Sequence, residues 1–369
     1  MKDGWMMKKV KILFFIHQLN SGGSQRILLN LVSNIDKNKY EVVLVVINNV
    51  GEFSSFSHSS VKLIDLKVKK VRNSILKIFN TIKIEEPDII FSGISYLSLL
   101  FALLIPFLKI GRKIKFIARE TNTLSIDNEG RKYTRILNFL YKKLYKNFDL
   151  IVCQSEYMKK DLFDNYNIKN NKMAVINNPV HIEQINKKLE QEEKSLFDNN
   201  KINLIAVGRL HKDKGFDLLL RVLKELDDNY HLAIIGEGKE KVNLMNLAKE
   251  LNISSRVDFL GFKENPYIYM KQSDLFILSS RHEGFPNVVL EANICGTPVI
   301  AFECPGVSDE IIINGLNGFL VECKNIEEMK NKILYSQIYR WKKQNIYNYI
   351  NEKFEISSIL NKYENVLKI

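Results

Sequence analysis

Short, β-branched apolar runs alternate along this chain with longer stretches in which apolar residues recur every three or four positions. Val10–Ile16, Glu41–Ile47, Ile89–Ser92, Lys115–Ala118, Leu150–Cys153 and Met173–Ile176 read as buried strands, with amphipathic helices such as Gln25–Asn34 and Met158–Tyr166 between them. A charged, Gln-rich stretch from Glu183 to Asn200 then lacks any strand pattern and reads as a linker and a helix. After it the alternation restarts with Ile202–Val207, Tyr230–Ile235, Val257–Leu260, Leu275–Leu278, Pro298–Ala301 and Gly318–Val321. Near-continuous apolar strands separated by helices predict parallel sheets covered on both faces. Two such series predict an α/β chain of two Rossmann-like domains, residues 8–182 and 183–345, facing a central cleft. Residues 346–369 read as a C-terminal helix packing back on the first domain. Ligands of such sheets bind beyond the carboxyl ends of the strands, which makes the cleft the expected site.

Composition narrows the classes. A chain of 369 residues exceeds what one core usually organises, and 46% apolar with 26% charged residues is globular. The four cysteines, Cys153, Cys295, Cys304 and Cys323, show no metal or redox spacing and read as free thiols of a reducing, cytoplasmic compartment. The apolar run Ile12–Ile16 behind Lys8, Lys9 and Lys11 is too short for a signal peptide. Ile94–Ile110 contains Pro106, Ser95 and Ser98 and reads as a buried crossover helix, not a membrane span.

Charge is segregated. Residues 1–180 hold 29 Lys and Arg against 15 Asp and Glu, whereas the rest holds 25 against 27. A segregated field implies a partner. In Arg131–Lys146, Ile136, Phe139, Leu140, Lys143 and Leu144 recur at helical spacing, flanked by Lys and Arg with three tyrosines between. Two readings stand: a helix resting on an anionic membrane surface, or one packing its apolar stripe on the sheet. No nucleic-acid-binding motif accompanies the charge, so nucleic acid is not an expected partner.

Candidate chemistry follows the strand ends. Asn20-Ser21-Gly22-Gly23-Ser24 opens the first helix, where glycines permit close approach to a ligand or serve a tight turn. At the corresponding place in the second half stand Gly208-Arg209-Leu210 and His211-Lys212-Asp213-Lys214-Gly215. Arg209 and Lys214 lie five apart at a strand exit, suited to one diphosphate, although KDKG is also good turn composition. Gly236-Glu237-Gly238 and Gly261-Phe262 end the next two strands, the latter a place for a nucleobase. The most specific segment is Ser279 to Ala292. Gly284 permits close approach, Phe285 and Pro286 lead into a helix, and the N–H groups around Asn287 and Val288 point outward for phosphate. Glu291 can accept from the two ribose hydroxyls, and Glu283 lies toward the sugar.

These residues resemble the EX7E motif of family 4 GT-B glycosyltransferases, with Glu283, seven residues, Glu291 and then Ala292 through Ile300. The likeness takes in Gly22-Gly23, the GRL-to-KG segment, Gly236-Glu237-Gly238 and Gly306 through Gly318. It implies a GT-B enzyme that transfers a hexose or N-acetylhexosamine from a nucleotide-sugar, UDP before GDP, with retention and without a metal or cofactor. Arg209 and Lys214 would hold the diphosphate, Glu291 the ribose, and Glu283 would face the sugar. No DxD triplet occurs. Many members carry a His after a strand of the first domain, where this chain reads Ala118-Arg119-Glu120-Thr121-Asn122, leaving Glu120 as the catalytic candidate there. Similar segments occur in relatives that build bacterial surface polysaccharides and lipid-linked oligosaccharides. This points to a glycan or lipid-linked acceptor at the inner membrane face. Two rival readings share the nucleotide site: a nucleotide-sugar 2-epimerase and a catalytically silent partner subunit.

Overall fold

The computed structural model describes residues 8–20, 23–131, 133–190 and 197–369. They form two compact units, one running to Asn178 and joined by Ile359–Ile369, the other spanning Pro179–Ser358.

The first unit is built on seven strands, β1 (Val10–Ile16), β2 (Tyr40–Val46), β3 (Val61–Asp65), β4 (Ile89–Ser92), β5 (Lys115–Arg119), β6 (Leu150–Cys153) and β7 (Met173–Val175). They pair in parallel in the order β3-β2-β1-β4-β5-β6-β7. Its helices are α1 (Gly23–Asn34), α2 (Ile75–Glu85), α3 (Ser95–Leu108), α4 (Leu124–Asn128), α5 (Thr134–Leu144) and α6 (Glu156–Tyr166). Successive strand residues point to opposite faces, so β1 gives Leu13 and Phe15 to one core, with α2, α3 and α6, and Ile12, Phe14 and Ile16 to the other, with α1. The strand missing from the sequence reading is β3. Lys62 and Leu63 are exposed at this sheet edge, so no continuous apolar run marks it.

The second unit repeats the design. Helix α7 (Ile182–Leu189) precedes β8 (Ile202–Val207), α8 (Phe216–Lys224), β9 (Tyr230–Ile235), α9 (Lys241–Glu250) and β10 (Val257–Gly261). Then come α10 (Tyr267–Gln272), β11 (Leu275–Leu278), α11 (Asn287–Ile294), β12 (Val299–Glu303), β13 (Gly318–Glu322), α12 (Ile326–Ile338) and α13 (Lys343–Phe354). The parallel order β10-β9-β8-β11-β12-β13 again reverses beside the first strand. This reversal sets a switch point at β1/β4 in one unit and β8/β11 in the other, where flanking loops diverge and leave room for a ligand.

The division of the chain differs from the sequence expectation at both crossings. Ile182 and Ile185 are buried in the second unit's core and the Val180 N–H donates to the Phe354 carbonyl, so the crossing falls at Asn178–Pro179. The segment expected as one helix from Ile346 is two. Helix α13 packs Ile350 and Phe354 into the second unit, and after Glu355 the chain enters α14 (Ile356–Val366). Ile359, Tyr363 and Leu367 are buried against the first sheet with Phe14 and Phe91. Part of the Gln-rich stretch, residues 191–196, lies outside the described residues, as do Gly22 and Lys132. No described helix is long and apolar enough to cross a membrane. The four cysteines are free thiols, three of them buried.

Candidate functional site

In the second unit, three adjacent strand ends are stitched together. Leaving β8, the chain makes a tight turn over Lys212–Lys214 and enters α8 through Gly215, whose φ of 62° is left-handed. A Cβ on Gly215 would lie 2.0 Å from the Ser279 carbonyl, and one on Gly306 2.0 Å from the Glu283 carbonyl. The loops after β8, β11 and β12 therefore meet backbone to backbone at glycines. The Arg281 N–H donates to the Asp213 carbonyl and the Glu283 N–H to the Pro305 carbonyl. Arg281 also forks onto Asp217 at 2.8 and 2.7 Å, holding that carboxyl below the usual range, and its Nη1 donates to the Lys212 carbonyl.

This frame presents a charged pair. Lys214 Nζ lies 2.6 and 2.7 Å from the two oxygens of Glu283, itself nearly buried. The Ser280 hydroxyl donates to Glu283 Oε1 at 2.6 Å, and the Ser279 hydroxyl to the Lys214 carbonyl at 3.0 Å. The Lys214 stem passes within 3.7 Å of where a Gly208 Cβ would stand, beside Arg209. The Arg209 residue is exposed and its side chain has no ionic or hydrogen-bond partner among the described residues, while its carbonyl accepts from the His211 N–H. Two cationic residues thus stand at the β8 exit, Lys214 paired and the Arg209 side chain unpaired among the described residues.

The rest of the predicted set divides. At the start of α11 the Asn287 N–H is taken by the Phe285 carbonyl, while among the described residues the Val288 N–H has no backbone partner. Glu291 lies one turn inside α11 with 8% exposure. Gly284 is half-buried in the loop between. The Phe285 ring is buried, 6.2 Å from Phe354, and props the loop from beneath. Gly236 is required by packing between loops. Its absent Cβ would fall 1.9 Å from the Gly208 carbonyl, so it seats one loop on another. Phe262 is 74% exposed at the end of β10, where an aromatic face can meet a base.

In the first unit Gly23 opens α1, and Gly22 lies outside the described residues. Glu120 does not stand open to a substrate. It is 1% exposed, with Oε1 2.6 Å from the Tyr145 hydroxyl oxygen, because the chain after β5 turns its side chain inward. Arg119, fully buried, donates to Tyr363 at 3.2 Å and to Asn178 at 2.8 Å. Sequence reading missed His17, at the β1 exit, whose ring meets the edge of Tyr96 at 5.5 Å. No spacing signals such a pair, since only the β1/β4 adjacency brings it together.

Two successive doubly wound units with their switch points on the carboxyl side define a GT-B architecture. The fold is that of Anabaena HepE in complex with UDP, with a TM-score of 0.80 at 20% identity over 97% of this chain and 99% of that one. The family model "Glycosyl transferases group 1" matches residues 187–350 and "Glycosyltransferase Family 4" matches residues 21–184. The N-acetylgalactosamine-N,N'-diacetylbacillosaminyl-diphospho-undecaprenol 4-alpha-N-acetylgalactosaminyltransferase of Campylobacter jejuni is 30% identical over 86% of this chain and 88% of its own. The amylovoran biosynthesis glycosyltransferase AmsD of Erwinia amylovora is 25% identical over 86% and 87%. The chain belongs to the family 4 glycosyltransferases.

Proposed function

We propose that this protein transfers a hexose or N-acetylhexosamine, with retention, from a UDP-sugar to a glycan or lipid-linked acceptor in cell-surface polysaccharide synthesis. The carrying observation is the Lys214–Glu283 pair with free Arg209 beside it at the β8/β11 switch point. An arriving diphosphate meets Arg209 directly and draws Lys214 from Glu283, freeing that carboxylate for hydroxyls of the sugar. Glu291 takes the ribose hydroxyls and the Val288 N–H a phosphate oxygen. As the anomeric carbon–oxygen bond to the diphosphate breaks, the acceptor oxygen bonds to the same face of that carbon. The acceptor proton passes to the leaving phosphate oxygen. The two cations and the helix end stabilise the departing charge, so the reading needs neither metal nor cofactor.

The HepE complex with UDP and the undecaprenol-linked substrate in the Campylobacter relative's name support the donor and acceptor classes. A position on the inner face of the membrane is part of the proposal. Helix α5 turns Tyr141 inward and leaves Tyr133, Ile136 and Phe139 each 58% exposed among exposed Arg135, Lys142 and Lys143. Its stripe is therefore not spent on the sheet, and only Leu140 and Leu144 are partly covered. Such a face favours an anionic lipid surface. Incubation with radiolabelled UDP-sugars and a bacterial membrane extract tests the reading. Label in lipid or glycan is expected. An isomerised nucleotide-sugar would instead establish a 2-epimerase, and neither product a silent binding subunit.

A further inference from the structure

The buried carboxyl of Glu120 is left over by this mechanism. It stands directly after β5, Tyr145 follows α5, and Ser95 opens α3. The Tyr145 hydroxyl has one hydrogen but two acceptors in reach, Glu120 Oε1 at 2.6 Å and the Ser95 carbonyl at 3.2 Å. A carboxylate would claim that hydrogen and leave the Ser95 carbonyl to the Tyr141 hydroxyl, 3.5 Å away. A carboxylic acid donates its own proton to the Tyr145 oxygen, and Tyr145 is then free to donate to Ser95. Only the acid makes both contacts hydrogen bonds. Among the described residues Glu120 Oε2 makes no hydrogen bond that meets the geometric criteria, with the Ser95 hydroxyl its neighbour, a condition less costly for a neutral carbonyl oxygen than for half of a charge.

We propose that Glu120 is a positioning residue. As the neutral acid it donates to Tyr145, which donates to Ser95, and this relay pins the start of α3 to the ends of β5 and α5. The proposal rests on the transfer reading in one respect, that the acceptor binds at this sheet end, where Ser95 carries its neighbour Tyr96 against His17.

The surroundings agree. Burial pushes the Glu120 carboxyl up to about 7, against the pull of the Tyr145 and Ser95 hydroxyls, and Asp127 adds to the rise. The neighbouring cation, Arg119, is turned toward Tyr363 and Asn178. Tyr141, Cys153 and Tyr166, whose own ionisation the Glu120 charge opposes, face it from α5, β6 and α6.

Hydrogen exchange of the full-length protein tests the relay without any assay of transfer. Peptides covering the start of α3 and residues 134–147 should open about tenfold more readily at pH 8 than well below pH 7, after correction for intrinsic exchange, as one pH unit above the titration gives. E120Q, whose amide donates permanently, should keep the low-pH protection throughout. Y145F should lose it throughout. In the membrane-extract assay, wild-type kcat/KM for acceptor should fall over the same interval with the donor KM unchanged, and E120Q should abolish that fall. Exchange independent of pH in the wild type, or a pH dependence unchanged in E120Q, would overturn the proposal. Absence of transfer with every donor sinks the transfer reading instead, and exchange still decides the relay.

Discussion

Lys214 and Glu283 neutralise one another at 2.6 Å in the structure, so under the proposed function a diphosphate would compete for the ammonium group. Replacing Lys214 by Ala removes one of two cations at a developing charge and should lower kcat/KM about 100-fold, read from initial rates of UDP release. Glu291→Ala should act mainly on donor KM. Rates within a few fold of wild type for both variants would discard the assignment. Glu120 makes a stability prediction of opposite sign to most carboxylates. Its native carboxyl holds its proton up to about pH 7, whereas an unfolded one releases it near 4.5. Through that window the unfolded state binds fewer protons, so the contribution to stability is full below it and is lost as pH rises through 7. Above pH 7 E120Q should therefore gain on the wild type by about 3 kcal/mol, measured by denaturant melts at pH 5 and 8. The strand-exit places of Arg209 and Lys214, and the loop and helix places of Glu283 and Glu291, were legible because strand, turn and helix each leave a local pattern. The inward turn of Phe285 and Glu120 was not legible, since burial depends on what packs above a residue.

Loops and helices carry the next level. Glycines at strand ends read equally as ligand approach or as turns, and the structure adds a third reason, contact between loops. Gly236→Ala drives a Cβ into the Gly208 carbonyl and at a φ of 142° is strained as well. It should destabilise by about 3 kcal/mol and weaken UDP binding together, checked by melting and calorimetric titration. For α5 the hydrophobic period identified a helix but not which side would be covered. Tyr141 and the following Tyr145, between the stripe positions, form the inner face because their hydroxyls reach the Ser95 carbonyl. Reversing Arg135, Lys142 and Lys143 to Glu should cut binding to phosphatidylglycerol vesicles severalfold at low salt. Unchanged sedimentation would remove the membrane part of the proposal.

At the scale of the molecule, the groups proposed for the diphosphate, ribose and sugar, Arg209, Lys214, Glu283, Val288 and Glu291, belong to the Pro179–Ser358 unit. UDP at a hundred times its Kd should stabilise that unit by about 2.7 kcal/mol, and a calorimetric scan should show the first unit's transition unmoved if the two unfold separately. Alternation of strand and helix by itself determined two parallel-sheet units, because only buried strands tolerate continuous apolar runs. Motif spacing, through its resemblance to family 4, was enough to indicate the glycosyltransferase family. The tertiary structure alone decided where the chain changes unit. Helix α14 leaves the second unit for the first, where Tyr363 meets Arg119, a contact across 244 residues that no local pattern records. It alone also decided that Glu120 lies inside, because a carboxyl's protonation follows from the three-dimensional packing that removes water from it.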